Sequence, residues 1–343
     1  ITFAQGGAGA MVGTGPFKFK EWVVGDHVTI DKNADYWDAA AVPHLDEIVF
    51  KPVAEEAQRL NGLTTAEIDF AQTIAPVDIA SISGDSNLAV VDRGASCNTM
   101  QLSMNHNYAP IKNPKIREAI ALAVNKQYLI DTFYAGLAVP ADNWMPVNTQ
   151  YAKSLGLPTY NLQAAKDAVA ASGETDLTID FYYPSDVTRP YMPDPKGIFE
   201  AITSDLEAAG FKIVPHTETW RPDYLDHEYA GNFEMWLLGW TCDWAGPDNF
   251  LKTAFFGYVD GAPSTEFAYK SDELETTMND ALAATDEGTA KSLWEHAQDI
   301  LKADLPTVPL INSTPPAAAR ADVKGFVGSG GLNEYFNSVW LDR

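Results

Sequence analysis

The chain has 343 residues, 46% of them apolar, and sets 23 Lys and Arg against 47 Asp and Glu for a formal charge of −24. That length exceeds one ordinary domain and predicts two lobes or one large α/β unit. The acidic balance excludes electrostatic attraction to phosphate backbones or anionic lipid, and no stretch reaches the roughly 18 apolar residues a membrane helix needs.

The start, "ITFAQGGAGAMVGTGP", has neither the basic region nor the apolar core of a secretory signal, and it opens without methionine, as a mature or truncated product would. "PFKFKEWVVGDHVTIDKN" alternates as an antiparallel hairpin turning at Gly25-Asp26, and "HLDEIVFKPV" is a further strand. The helix "EEAQRLNGLTT" and the short run "IDFAQ" complete an α+β part that ends near residue 91. "NTMQLSMN" is strand-like, and Asn113-Pro114 open a helix whose apolar positions Ile116, Ala119, Ile120 and Ala123 fall at helical spacing.

Residues 161–240 are the most regular. A helix from Asn161 to Gly173, strand "LTIDFYY", helix "IFEAITSDLEAAG", strand "FKIVPH", a helix around "RPDYLDHEYA" and strand "FEMWLLGW" make β-α-β-α-β. Such units place parallel strands side by side through right-handed crossovers, and ligands of open α/β sheets sit outside the shared carboxyl edge. The residues following those strands are Pro184 to Arg189, Trp220 and Asp243. The C-terminal third adds a helix in "KSLWEHAQDILKAD", then "LPTVPLIN", the small-residue stretch "PPAAAR" and the strand-like "VKGFVG". Prolines 306, 309, 315 and 316 mark where the chain leaves the α/β lobe, so crossings near 95 and 312 would form a hinge.

Enzyme motifs are sparse. "GTGP" at Gly13 to Pro16 is a tight turn without the Gly-Lys-Ser/Thr of a phosphate loop, and the six dispersed histidines have no metal-binding spacing. Asp243 and Asp248 could act as the carboxylate pair of a secreted glycoside hydrolase. Cys97 and Cys242, 145 positions apart, exclude a CxxC site and leave a disulfide or two buried thiols open.

A binding reading fits the edge better. Arg189 precedes a proline and so sits on a stiff, extended segment, offering a planar fork of donors to a carboxylate. Asp243, between Trp240 and Trp244, offers the acceptor for an ammonium group. Together they suit a small zwitterion, with Trp220, Trp240, Trp244 and Tyr191 as aromatic walls. Alternatively Arg189 and Asp243 pair with each other or with nearby surface groups.

"VGTGPFKFKEWVVGDHVTIDKNADYW" followed by "LDEIVFKPV" resembles the signature stretch of the large solute-binding proteins (family 5) of ABC importers for peptides and nickel. "KNPKIREAIALAVNKQYLI", "ADLPTVPL" and "VKGFVGSGGLNEYFNSVWL" are similar to later segments of that family, in its order. In the dipeptide-binding branch, Arg189-Pro190-Tyr191-Met192-Pro193 and Gly239-Trp240-Thr241-Cys242-Asp243 match motifs whose arginine holds the ligand carboxylate and whose aspartate holds its amine. Trp220 matches a pocket aromatic. Cys242 stands where the branch has glycine, and Trp244 and Ala245 also depart from it.

The resemblance implies a two-lobed, Venus-flytrap α/β fold of the periplasmic-binding-protein type II class, with mixed sheets. Part of lobe I (1–95 and 314–343) is present without the family's N-terminal segment and small subdomain, together with a complete lobe II (96–313). It further implies a periplasmic or extracellular monomer, free or lipid-anchored in a full-length parent, with no cofactor, metal site or catalysis. Such a protein captures a short peptide between its lobes and delivers it to an ABC permease, with a nickel-chelate, haem or oligopeptide as the alternative cargo.

Overall fold

The computed structural model describes residues 13–331 and 334–343. The reading of "ITFAQGGAGAMV" and of Leu332-Asn333 in the closing segment lies outside the described residues. The chain divides into two units, Ile1–Gly94 with Pro316–Arg343 and Ala95–Pro315.

In the first unit, β1 (Phe17–Val23), β2 (His27–Lys32) and β3 (Glu47–Phe50) form an antiparallel meander, with Phe19 opposite Ile30 and Val28 opposite Phe50. After them come α1 (Glu56–Thr64), β4 (Phe70–Ala71), α2 (Ile79–Gly84) and β5 (Leu88–Val91). A small core of Leu63, Ala71, Ile74, Ile82, Leu88 and Ala318 joins these pieces.

The second unit starts with β6 (Asn98–Met104), buried along its whole length. The helix opened by Asn113-Pro114 is short, and "KNPKIREAIALAVNKQYLI" holds two: α3 (Pro114–Ala123) stops because Val124 is extended, and Asn125 then caps α4 (Lys126–Phe133) by accepting from the Tyr128 amide. Arg117 of α3 is buried and donates to the carbonyls of Ile111, Lys112, Asp304 and Leu305. Two of these are orphan carbonyls at the end of a later helix, so the arginine is a structural clamp.

β7 (Ala138–Pro140), α5 (Leu162–Ser172), β8 (Thr178–Pro184), α6 (Pro195–Ala209) and β9 (Lys212–Glu218) come next. The logic of α6 is plain in its sequence: Asp194 caps it through the Gly197 amide, Pro195 opens it, and Gly210 ends it. Ile198, Phe199, Ile202 and Leu206 make its buried stripe. A kinked segment, Trp220–Tyr224, with extended backbone at Arg221, runs into α7 (Leu225–Tyr229) and then β10 (Met235–Thr241). A π-helical segment, Asn249–Phe256, precedes α8 (Asp272–Ala283), α9 (Glu287–Asp304) and β11 (Val308–Ser313).

These strands form one six-stranded sheet in the order β7-β11-β6-β10-β8-β9. β8 is parallel to both β9 and β10, which gives the shared carboxyl edge, while β10 runs antiparallel to β6 and β6 to β11. The first and last strands of the unit are fastened at their outer ends, because Ser96 donates to the Ser313 carbonyl and Ser313 donates to Asn98.

The chain returns to the first unit with β12 (Ala317–Arg320), β13 (Val323–Lys324) and β14 (Trp340–Leu341). The small-residue stretch "PPAAAR" is thus largely a strand, inserted between β4 and β5. Buried Arg93 pairs with Glu334 and reaches the Gln72 carbonyl, tying this return to the earlier residues.

Candidate functional site

The carboxyl edge of β8, β9 and β10 carries three connected loops. After β8, Ser185 donates its amide to the Glu218 carbonyl at the end of β9, and Asp186 accepts the Trp220 amide at 2.7 Å. Arg189 and Met192 then exchange two backbone hydrogen bonds of 3.0 and 2.8 Å, closing a four-residue turn with Pro190 at its second position. The turn is anchored on the unit's core: the Tyr134 hydroxyl donates to the Tyr191 carbonyl at 2.8 Å, and the Ser313 hydroxyl to the Pro190 carbonyl at 3.1 Å.

Tyr191, expected as an aromatic wall, is 3% exposed. It is a wedge beneath Arg189, and its burial pushes the phenol above its usual range against the opposing pull of the Arg189 charge. Its ring lies on Gly239 of β10, where a Cβ would stand 2.4 Å from Tyr191 Cδ2. Only glycine admits that approach.

The Arg189 guanidinium lies over aromatic faces, with its carbon 5.0 Å from the Trp220 ring centroid and 6.0 Å from that of Tyr191. Trp220 is half-buried and stacks on Tyr224, whose hydroxyl donates to the Leu237 carbonyl of β10 at 2.9 Å. Arg189 Nε is buried without a hydrogen-bond partner, and among the described residues no carboxylate lies within ion-pairing distance of the guanidinium. Arg189 and Asp243 therefore do not pair with each other.

The loop after β10 begins with a clip. Cys242 and Cys97 form a disulfide, and the Cys242 amide donates to the Cys97 carbonyl at 2.8 Å, so the end of β10 is locked to the start of β6. Asp243 follows with its side chain exposed, so the aromatic neighbours do not impose the desolvation that its place in the sequence suggests. Among the described residues its carboxylate has one partner, Asn249 Nδ2 at 3.3 Å, while the Asn249 oxygen accepts both the Asp243 amide and the Trp240 indole N–H at 3.1 Å. Trp240 is half-buried on the core.

Trp244 turns away from this cluster. Its indole N–H reaches both oxygens of Asp248, at 3.1 and 3.0 Å, and 47% of the residue is exposed. Gly246 makes that pairing possible, since a Cβ there would meet Asp248 Oδ1 at 2.4 Å and Trp244 Cδ1 at 2.9 Å. Asp248 is therefore occupied as an acceptor in its own turn.

The structure thus brings Arg189, Trp220 and Tyr191 into one cluster and Asp243 with Trp240 into a second, on neighbouring parallel strands. Sequence reasoning gave no role to Asn249 or to Asp186. Only their partners, distant in sequence for Asp186, reveal their work.

The chain was compared with known proteins. The sequence profile described as "Bacterial extracellular solute-binding proteins, family 5 Middle" matches residues 3–262. Di/tripeptide-binding protein 1 of Pseudomonas aeruginosa is 28% identical over 95% of this chain and 60% of its own length. Heme-binding protein A of Haemophilus influenzae is 27% identical over 96% of this chain and 60% of its own length. Among solved structures, the ABC transporter-associated periplasmic binding protein DppA from Helicobacter pylori, in complex with peptide STSA, superposes with a TM-score of 0.82 at 28% identity. That match covers 96% of this chain and 63% of the other. The chain spans about three fifths of the length of these relatives. It belongs to the family 5 solute-binding proteins. Its relatives are binding proteins rather than enzymes, which overturns the hydrolase alternative for Asp243 and Asp248.

Proposed function

We propose that this family member binds the two charged ends of a short peptide, Arg189 taking the carboxylate and Asp243 the ammonium group. It would do so as the periplasmic or extracellular solute-binding component of an ABC importer, handing its cargo to the permease. One observation carries the reading: Arg189, with Nε buried and unpartnered among the described residues, is a cation awaiting an anion, and a carboxylate with no cationic partner among those residues stands on the same sheet edge. A charged hydrogen bond contributes roughly 1.5–3 kcal/mol. Trp220 and Trp240 border the two charges, and flat aromatic surfaces accept varied side chains.

Relatives of near-equal identity bear peptide and haem names, so the reading of the cargo rests on the site chemistry. Two opposite charges on one rim match a zwitterion better than a porphyrin or a metal chelate. The test is a calorimetric titration of the protein with one dipeptide in free, N-acetylated and C-amidated forms. Free peptide should bind and each capped form should bind at least tenfold more weakly; affinity indifferent to both caps would remove the assignment.

A further inference from the structure

We infer that Asn249 is the positioning residue that aims Asp243 at the ligand amine and fixes the Trp240 ring beside it; this rests on the reading that Asp243 receives an amine. Asn249 is fully buried and opens the π-helical segment Asn249–Phe256. Both groups that meet its side-chain oxygen, the Trp240 indole N–H and the Asp243 backbone N–H, can only donate, so the oxygen and nitrogen of the amide are unambiguous. The nitrogen then faces Asp243 Oδ2 at 3.3 Å. That contact engages one carboxylate oxygen and, among the described residues, leaves Oδ1 open, so the carboxylate presents a chosen oxygen instead of rotating freely.

The chemistry of the donor matters. Lysine or arginine at position 249 would also hold the carboxylate, but would cancel the charge an ammonium ligand needs. An amide orients Asp243 and leaves its charge to be matched by the ligand. Because one oxygen atom holds both Trp240 and the Asp243 backbone, the aromatic wall and the anion are set as a unit. Ordering one such side chain in advance avoids an entropy cost that corresponds to roughly 3- to 10-fold in affinity.

The readout is the ratio of affinities for a free and an N-acetylated dipeptide, which overall weakening of the fold does not shift. Asn249→Leu should lower this ratio 3- to 10-fold, over and above any loss through Trp240 that both ligands share, and adding it to Asp243→Asn should lower the ratio no further. Asn249→Asp keeps the acceptor for both N–H groups, and hence the turn, but sets a second carboxylate against Asp243. Like charges that close raise the titration of one of them. The ratio should then depend on pH more steeply than it does in the unaltered protein; this variant decides the matter if Asn249→Leu does not fold. A wild-type ratio and a wild-type pH profile in both variants, with Asp243→Asn abolishing the ratio, would overturn the role of Asn249 alone. A wild-type protein that does not discriminate the two ligands, or an Asp243→Asn variant that still does, would sink the amine assignment and this inference with it.

Discussion

The guanidinium carbon of Arg189 stands 5.0 Å from the centroid of the Trp220 ring, and Trp220 is itself stacked on Tyr224. The cation is thus supported by a two-ring pile that ends on β10. Cation–π contact contributes about 0.5–2 kcal/mol, so Trp220→Ala should weaken binding of a free-carboxylate dipeptide roughly 2- to 30-fold, with Trp220→Phe recovering most of the loss. Arg189→Ala should cost about 10- to 100-fold for the free acid and leave the C-amide unaffected. Calorimetry on both ligands checks this, and equal losses for acid and amide would show that Arg189 does not hold a carboxylate.

Gly239→Ala tests how the Arg189 turn is seated. The new Cβ would meet the Thr99 carbonyl and Tyr191 Cδ2, each at 2.4 Å, and neither a paired backbone oxygen nor a buried ring can yield cheaply. Overpacking of this kind costs about 1–3 kcal/mol. Gly84→Ala, at a helical position with nothing within 4 Å of the added carbon, is the control and should be neutral or slightly stabilising. Urea midpoints of the two variants should separate clearly.

Replacing both Cys97 and Cys242 by serine opens a link across 145 residues. Loss of such a link lowers stability by about 2–5 kcal/mol. Because Cys242 adjoins Asp243, the preference for a free over an acetylated amine should fall as well, while the preference for a free carboxylate stays. Urea melts with the ligand panel test both halves, and an unchanged amine preference would confine the disulfide to stability.

Buried acids give the fold an unusual pH response. Burial pushes Glu234 up to about 7, with Asp180 and Asp176 adding to the rise and the Asp180 amide opposing it, and burial likewise pushes Glu266 to about 8 beside the buried Glu228. A carboxyl whose folded value is raised contributes stability in full below its unfolded value near 4.5, and that contribution disappears as pH rises through the folded value. His106, lowered by burial to about 4, works the other way and stabilises as pH rises from 4 to 6.5. Glu234→Gln removes one side of this opposition. Its stability relative to the unaltered protein should grow from pH 4.5 to 7, by an amount on the order of 1–3 kcal/mol, and stay level above. A constant difference across that range would contradict the sign.

How far the sequence carried differs by element. The α5-β8-α6-β9-β10 run was legible because Asn161, Gly173 and Gly210 mark helix ends and its strands are short apolar runs between them, although α6 begins at Pro195, three residues before the stretch read as its start. β12 was not, since three alanines carry no strand signal and pair only because β4 and β5 flank them. The break at Val124 was hidden by continuous helical spacing on both sides. At the site, Arg189, Trp220 and Asp243 were singled out because residues after parallel strands share an edge. The burial of Tyr191, the turning away of Trp244 and the role of Asn249 depend on particular side-chain contacts, which spacing does not encode.

The hydrogen bond from Ser96 to Ser313 has a further consequence. The stretch 95–315 enters and leaves its host polypeptide through one bonded doorway, so it is arranged as a guest inserted into another fold. A cassette of that kind can be lifted from the gene, its two cut ends already adjacent, and expressed or rejoined in a new order without redrawing its own strand pairings. The residues proposed to read both ends of the peptide all travel inside it.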